Sequence, residues 1–284
     1  MPELPEVESV RRGLVRARMR ASVIAIWRSD MPLRMGSAWR QENLSCLLGA
    51  TPGRIARRGK YLIWKFDGRD GDPLALVLHL GMTGRCGIAR AGANMAEHTH
   101  ISITFADARE LRFVDPRRFG GVRAGALEQL LSCPPLSELG PEPFDRRFDG
   151  QVLAARAQAS TRALRDVLLD QSVVAGIGNI YALEALFLAR LNPLVPAHRL
   201  GPSAWHRLAW AIKRVLGRGI RNGGTTLRDF RNVTGEIGRN QDDLRVYGRA
   251  GKPCPRCRRP LRSFVQGTRG GVYCPFDQPR TRLR

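Results

Sequence analysis

The spacing of apolar positions changes twice along the chain. Leu4, Val7, Val10 and Leu14 recur at helical spacing, behind a Pro5 and acidic residues suited to a helix start. From Ser22 to roughly Val122 that spacing gives way to strand patterns. "SVIAIW", "KYLIWKF" and "ALVLHL" are rich in branched and aromatic residues, "HISITF" alternates with period two, and "ADARELRFV" reads as a turn leading into a strand. Between Ser132 and Gly150, "SCPPLSELGPEPFDRRFDG" has the proline and glycine content of a linker. Beyond it, "QVLAARAQASTRALRDVLLDQ", "NIYALEALFLARL" and "PSAWHRLAWAIKRVLGRGI" return to helical reading up to about Arg221. The text from Tyr247 onward is again turn-rich, and no internal repeat is present. The pattern predicts an α+β protein of two domains. An N-terminal helix plus β-sandwich covers 1–131, a linker 132–150, a helix–two-turn–helix domain 151–243, and a zinc-ribbon-like β-hairpin 244–284.

Composition narrows the class. The 284 residues include 47 Lys plus Arg against 25 Asp plus Glu, a formal charge of +22. With 43% hydrophobic residues the chain can fold around cores, so the charge belongs to a globular protein with a polyanionic partner, nucleic acid before membrane. No apolar run approaches the roughly 18 residues of a membrane span, and the acidic, proline-rich start is unlike a secretory leader. Cys46, Cys86 and Cys133 stand scattered in apolar or turn contexts, as packing residues of a reducing compartment do.

Cys254 and Cys257 in "CPRC", with Cys274 and Asp277 in "CPFD" sixteen residues further on, have the spacing of a four-cysteine zinc ribbon with a carboxylate in the fourth place. Carboxylate oxygen ligates zinc, so one structural ion is chemically possible; the alternative is a hairpin kept by packing alone. Arg269 sits at the Gly-rich tip between the pairs, placed for a phosphate or a base edge. "AGIGN" ending at Asn179 is a tight turn opening a helix, hence an anion site. "HLGMTG" (79–84) and "DPRRFGG" (115–121) carry Met82, Arg117 and Phe119 on glycine-rich loops. These are residue types that could enter a base stack, or could equally be core residues at turn corners. Finally, removal of Met1 would leave Pro2 as a free secondary amine, with Glu3 and Glu6 close by.

Taken in order, "PELPEVE", "RRGKYL", "HLGMTG", "DPRRFGG", "LGPEPF", "AGIGNIYALEALF", "GGTTLRDF" and "VYGRAGKPC" make the chain closely similar, over nearly its whole length, to the bacterial formamidopyrimidine-DNA glycosylases. The related endonuclease VIII-type enzymes resemble "PEGPE" at the start and lack the Met and Arg–Phe wedge pattern. The resemblance implies a bifunctional base-excision enzyme for oxidised purines. Pro2 would be the nucleophile, Glu3 the general acid/base, and Glu6 an orienting group. Lys60 would contact phosphate and assist elimination, and Arg269 would aid the second elimination.

It further implies that His98, Arg117 and Asn179 contact DNA, and that Met82, Arg117 and Phe119 fill the gap left by a flipped nucleotide. Arg117 would face the opposite base. The loop with Gly223, Gly224, Thr225 and Thr226 would close over the extruded base. Asp277 stands where the family has a fourth zinc cysteine, Asn240 where it has an aromatic residue, and Ser160 where a DNA-binding lysine is common. Arg162 or Arg165 could supply that charge. The implied partner is double-stranded DNA with oxidised bases or abasic sites, met by a cytoplasmic, nucleoid-associated monomer. The rival readings are a non-catalytic damage binder and an endonuclease VIII-like glycosylase for oxidised pyrimidines.

Overall fold

The structure is a computed structural model that describes residues 2–33, 44–227, 230–233 and 235–280. It divides into two compact units: Met1–Glu138 with Asn222–Arg239, and Leu139–Arg221 with Asn240–Arg284.

In the first unit, helix α1 (Leu4–Ala17) precedes eight strands: β1 (Val23–Arg28), β2 (Thr51–Arg58), β3 (Tyr61–Asp67), β4 (Pro73–His79), β5 (Arg85–Arg90), β6 (Thr99–Phe105), β7 (Arg109–Val114) and β8 (Gly121–Ala126). They form two four-stranded antiparallel sheets, ordered β1-β6-β7-β5 and β2-β3-β4-β8. Alternate residues of the strands point into one shared core: Leu62, Trp64 and Phe66 from β3, Leu76 and Leu78 from β4, Ile101, Ile103 and Phe105 from β6. The Trp64 ring lies 5.3 Å from Phe66 and 6.0 Å from Phe105. Each of these buried side chains contributes about 2–3 kcal/mol by area removed from water. Val7, Val10 and Leu14 of α1 join the same core, which confirms the N-terminal helix on its sandwich. A short helix α2 (Leu127–Ser132) follows β8.

The segment 222–239, which the linear reading put with the helical domain, clusters with this first unit. Val233 is part of the sandwich core and Phe230 packs against it, so burial of these two draws the segment back.

The second unit holds α3 (Gly150–Ala157), α4 (Leu164–Leu169), α5 (Asn179–Leu188) and α6 (Pro202–Arg221), then a hairpin of β9 (Arg262–Gln266) and β10 (Arg269–Tyr273). The run read as helical over 151–171 is broken at 158–163. The two turns from Asp170 to Gly178 link α4 to α5, with Asp170 Oδ1 accepting from Ser172 N–H and hydroxyl at 3.1 and 2.6 Å. Among the described residues, no helix is long and apolar enough to cross a membrane.

Candidate active site and metal centre

Pro2 and Glu3 lead into α1 and both are buried. Glu3 and Glu6 make a reciprocal capping box, in which Glu6 Oε2 accepts from Glu3 N–H at 2.8 Å. The other oxygen, Oε1, accepts from Thr225 N–H at 2.6 Å. One carboxylate, 2% exposed, therefore holds both the helix start and the loop of residues 223–226. The loop can come this close because Gly224 has φ +92, and a Cβ there would stand 3.0 Å from Glu6 Oε1. Arg228 and Asp229 of the same motif lie outside the described residues.

Lys60 sits in the two-residue turn between β2 and β3, after Gly59 at φ 55, and is 5% exposed. Its neighbour His79 ends β4. Burial, with the Lys60 charge second, pushes the His79 imidazole down to about 3. The ring is neutral, and its Nδ1 accepts from Gly81 N–H at 3.1 Å. Tyr61 lies with its ring 4.7 Å from His79, and burial pushes its hydroxyl up to about 12.

The loops after β4 and β7 are bound to each other by Asp115, which has no exposed surface. Its Oδ1 accepts from the Thr83 hydroxyl at 2.5 Å and from Arg117 N–H at 3.3 Å, and its Oδ2 from Gly120 N–H at 2.7 Å. Gly81, at φ +59, would put a Cβ 2.3 Å from the Phe119 backbone, so only glycine allows the contact. The pair of loops displays Met82, 40% exposed, together with an exposed Arg117 whose guanidinium lies 4.7 Å from the half-buried Phe119 ring. Of the two readings of these residues, exposure removes the core one for Met82. His98 is exposed beside Glu97 at 3.2 Å, and its carbonyl accepts from Asp115 N–H. Asp115 and His79 were not singled out from the sequence; each lies inside a quoted motif as the residue that organises its turn.

In the second unit the Asn179 amide donates to the Gly270 carbonyl at 2.9 Å, while its Oδ1 is buried without a hydrogen-bond partner among the described residues. Gln171 shapes the preceding turn, donating to Ile177 O at 2.8 Å and accepting from Gly176 N–H at 2.9 Å. Arg269 opens β10 and is exposed. Arg165 departs from the expectation that it supplies surface charge. It is 1% exposed and donates to the carbonyls of Gln266 and Arg269 at 3.0 and 3.1 Å and to Asp166 at 2.7 Å. Its planar fork can satisfy two hairpin carbonyls at once, which draws it inward. Arg162 stays exposed, paired with Asp170 at 2.7 Å. Asn240 is buried, its amide 3.4 Å from the Tyr181 hydroxyl.

The ligand atoms of Cys254, Cys257, Cys274 and Asp277 all lie within 4.8 Å of one another. Cys257 and Cys274 sulfurs are 3.5 Å apart, and Cys254 Sγ is 3.3 Å from Asp277 Oδ2. A tetrahedral zinc thiolate site has ligand–ligand edges of about 3.8 Å, so the cluster fits one structural zinc. Arg256 and Asp277 N–H groups point at Cys254 and Cys274 sulfurs at 3.4 and 3.3 Å, as a thiolate site requires.

Three family models match in order: the formamidopyrimidine-DNA glycosylase N-terminal domain over residues 1–122, the formamidopyrimidine-DNA glycosylase H2TH domain over 139–231, and the zinc finger found in FPG and IleRS over 251–280. The formamidopyrimidine-DNA glycosylase of Moorella thermoacetica is 43% identical over 92% of this chain and 93% of its own. Among solved structures, a Lactococcus lactis FPG mutant in complex with Fapy-dG-containing DNA aligns with TM-score 0.87 at 34% identity, over 98% of this chain and 100% of its own. The MutM (FPG) protein of Thermus thermophilus aligns with TM-score 0.85 at 37% identity, over 98% of each chain. The chain belongs to the formamidopyrimidine-DNA glycosylase family.

Proposed function

We propose that this chain removes oxidised purines, 8-oxoguanine and formamidopyrimidines, from duplex DNA and then cuts the strand by β,δ-elimination through an N-terminal proline Schiff base. The observation that carries the reading is the double grip of Glu6 on Glu3 and Thr225, which ties the start of the chain to a glycine-rich loop. A structural helix cap needs only the first of these bonds.

With Met1 removed, Pro2 carries a secondary α-amine of pKa about 8, far more of it unprotonated at neutral pH than of a lysine near about 10.4. Its lone pair bonds C1′, the C1′–base bond breaks with its electron pair leaving on the base, and the base takes up the proton that the Pro2 nitrogen sheds. The C1′–O4′ bond opens as Glu3 protonates O4′, leaving an iminium on Pro2. The Glu3 carboxylate then accepts the C2′ proton, the freed electrons flow toward the iminium, and the 3′ phosphate departs. A second elimination expels the 5′ phosphate. Lys60, Arg269 and Asn179 bind phosphate oxygens in this scheme, and His98 contacts the backbone.

Flipping a nucleotide out costs a few kcal/mol, and Met82, Arg117 and Phe119 offset part of it by entering the gap. Their display on loops pinned by Asp115 supports that role. Gly223, Gly224, Thr225 and Thr226 offer backbone groups to the purine edge. Zinc held by Cys254, Cys257, Cys274 and Asp277 supplies structural rigidity to the hairpin and no chemical step. One chain serves one lesion, at nucleoid DNA in the cytoplasm.

The test is borohydride trapping on an 8-oxoguanine:cytosine duplex, after intact mass has established loss of Met1. A covalent adduct mapping to Pro2 is expected. Demonstrable binding with no adduct, on this duplex or an abasic one, would make the protein a damage binder; preferential trapping on a thymine glycol duplex would make it a pyrimidine-lesion enzyme.

A further inference from the structure

At the C-terminal end of α1 the first unit has a cleft of about 520 Å³, within the size range of sites for small ligands and single side chains. It is lined by Val15, Met19 and Ile55 and by the cationic Arg18, Arg20 and Arg54. The three arginines are exposed and, unlike most of the cations described above, their side chains make no hydrogen bond or ion pair with any described residue. Arg11 also borders the cleft, but Glu8 holds it in two hydrogen bonds of 2.8 and 2.9 Å. Val15 is 47% exposed, an apolar group left in water beside unpaired charge. The cleft is far from the chemistry: the 14 residues of α1 separate Arg18 from Glu3, about 22 Å along the axis.

The geometry points to a docking site for an acidic segment of a partner protein, with carboxylates on the arginines and one bulky apolar side chain in the cleft. Charge complementarity selects an anion, and the apolar lining selects its kind. A duplex offers phosphates on its outside and no apolar group that could leave the ribbon to fill a pocket. A single strand could insert a base, but bases are held by exposed aromatic faces, and among the described residues the only aromatic ring bordering the cleft, Trp64, is 1% exposed. The lining is aliphatic, which suits a leucine or phenylalanine side chain. One wall is the edge strand β2, whose outer side has no strand neighbour among the described residues; Arg11 already donates to the Ile55 carbonyl at 3.3 Å, so an extended segment would lie along the Thr51–Arg54 part of the edge. The inference does not depend on the catalytic reading, since no residue of the cleft takes part in it.

A short fluorescein-labelled poly-aspartate peptide with a C-terminal phenylalanine, titrated against the full-length chain and followed by anisotropy, tests the site. Saturable binding is expected, weaker by about tenfold for the double variant Arg18→Glu, Arg54→Glu and for the peptide ending in serine. Val15→Ser, a neutral change at an exposed position, should weaken the phenylalanine peptide and leave the serine peptide unchanged. Incision of a lesion duplex should be the same in all these variants. Absence of saturable binding, equal binding by the charge-reversed variant, or indifference to the terminal phenylalanine would overturn the proposal. So would loss of duplex affinity in the charge-reversed variant matching its loss of peptide, because the arginines would then belong to the nucleic-acid surface.

Discussion

The sandwich buries Trp64, Phe66, Phe105 and Phe113 between two four-stranded sheets, whereas the β9–β10 hairpin has two strands and packs its Val272 with Val246 and Leu261 beside Leu183 and Phe187. Two strands alone are marginal in water. The hairpin compensates with polar fastenings. Glu184, 1% exposed, accepts from the N–H groups of Arg245, Val246 and Tyr247 at 2.9–3.0 Å. Arg256 donates to Phe187 and Leu188 carbonyls at 2.8 and 3.1 Å, and Gln278 bridges Cys274 N–H and Leu191 O at 2.9 and 2.7 Å. The four-donor cluster completes the set. Hydrophobic area thus fixes the strands on which Lys60 and the Met82 and Arg117 loops are mounted, with Asp115 hydrogen bonds joining those two loops, whereas hydrogen bonds and a metal site hold the hairpin that carries Arg269.

That contrast can be broken most forcefully at the metal. Cys274→Ala should abolish zinc retention and lower incision by about 100-fold or more, while the sandwich keeps its melting transition, because a structural zinc contributes folding energy only where it binds. Metal analysis, incision assays and calorimetry on one preparation check it; unchanged zinc content would show that packing alone holds the hairpin. Next in size is Glu6→Ala in the other region. It strips the acceptor from two buried N–H groups, a cost of about 2–4 kcal/mol, and should lower single-turnover excision by about 100-fold with zinc content intact.

A smaller loss, about 2 kcal/mol, is expected from Arg165→Met, which leaves the Gln266 and Arg269 carbonyls without their buried donor. Weaker DNA affinity with an unaltered sandwich would sharpen the division between the regions; an equal shift of both transitions would blur it.

The smallest effect is one of pH. His79 titrates near 6.5 when unfolded and near about 3 in the fold, so between those values the unfolded chain binds the extra proton. The His79 contribution is therefore whole above about 6.5 and declines as pH falls toward about 3, by roughly 1 kcal/mol per pH unit. Urea melts at pH 7 and pH 5 should show a smaller difference in His79→Asn than in the parent; an identical difference would mean that the imidazole is not held neutral.

How far the fold could be read depended on where each strand lies. β3, β4, β6 and β7 are interior strands, buried over most of their length, and their apolar runs announce them. Of the four sheet edges, β1 alone carried a clear strand pattern, in "SVIAIW", while β2, β5 and β8 did not: "TPGRIARR" contains Pro52, Gly53 and three arginines, and a bulge between Pro52 and Ile55. An edge strand is paired on one side only and tolerates residues that an interior strand would not. Its pairing is a tertiary event with little local signature.

The order of motifs along the chain determined the family and pointed to Pro2, Glu3, Lys60, Arg269 and the four metal donors, because each motif is a local requirement of a turn, a cap or a ligand spacing. The sequence by itself also determined that an acid, Asp277, stands in the fourth donor place. Only the tertiary structure decided that the segment 222–239 belongs with the N-terminal sandwich, that Glu6 grips its loop, that Met82 faces outward, and that Arg165 turns inward to the hairpin. Those outcomes depend on which distant groups come within hydrogen-bond reach and on which side chains lose water, and residues more than 100 positions apart meet only after the chain has folded.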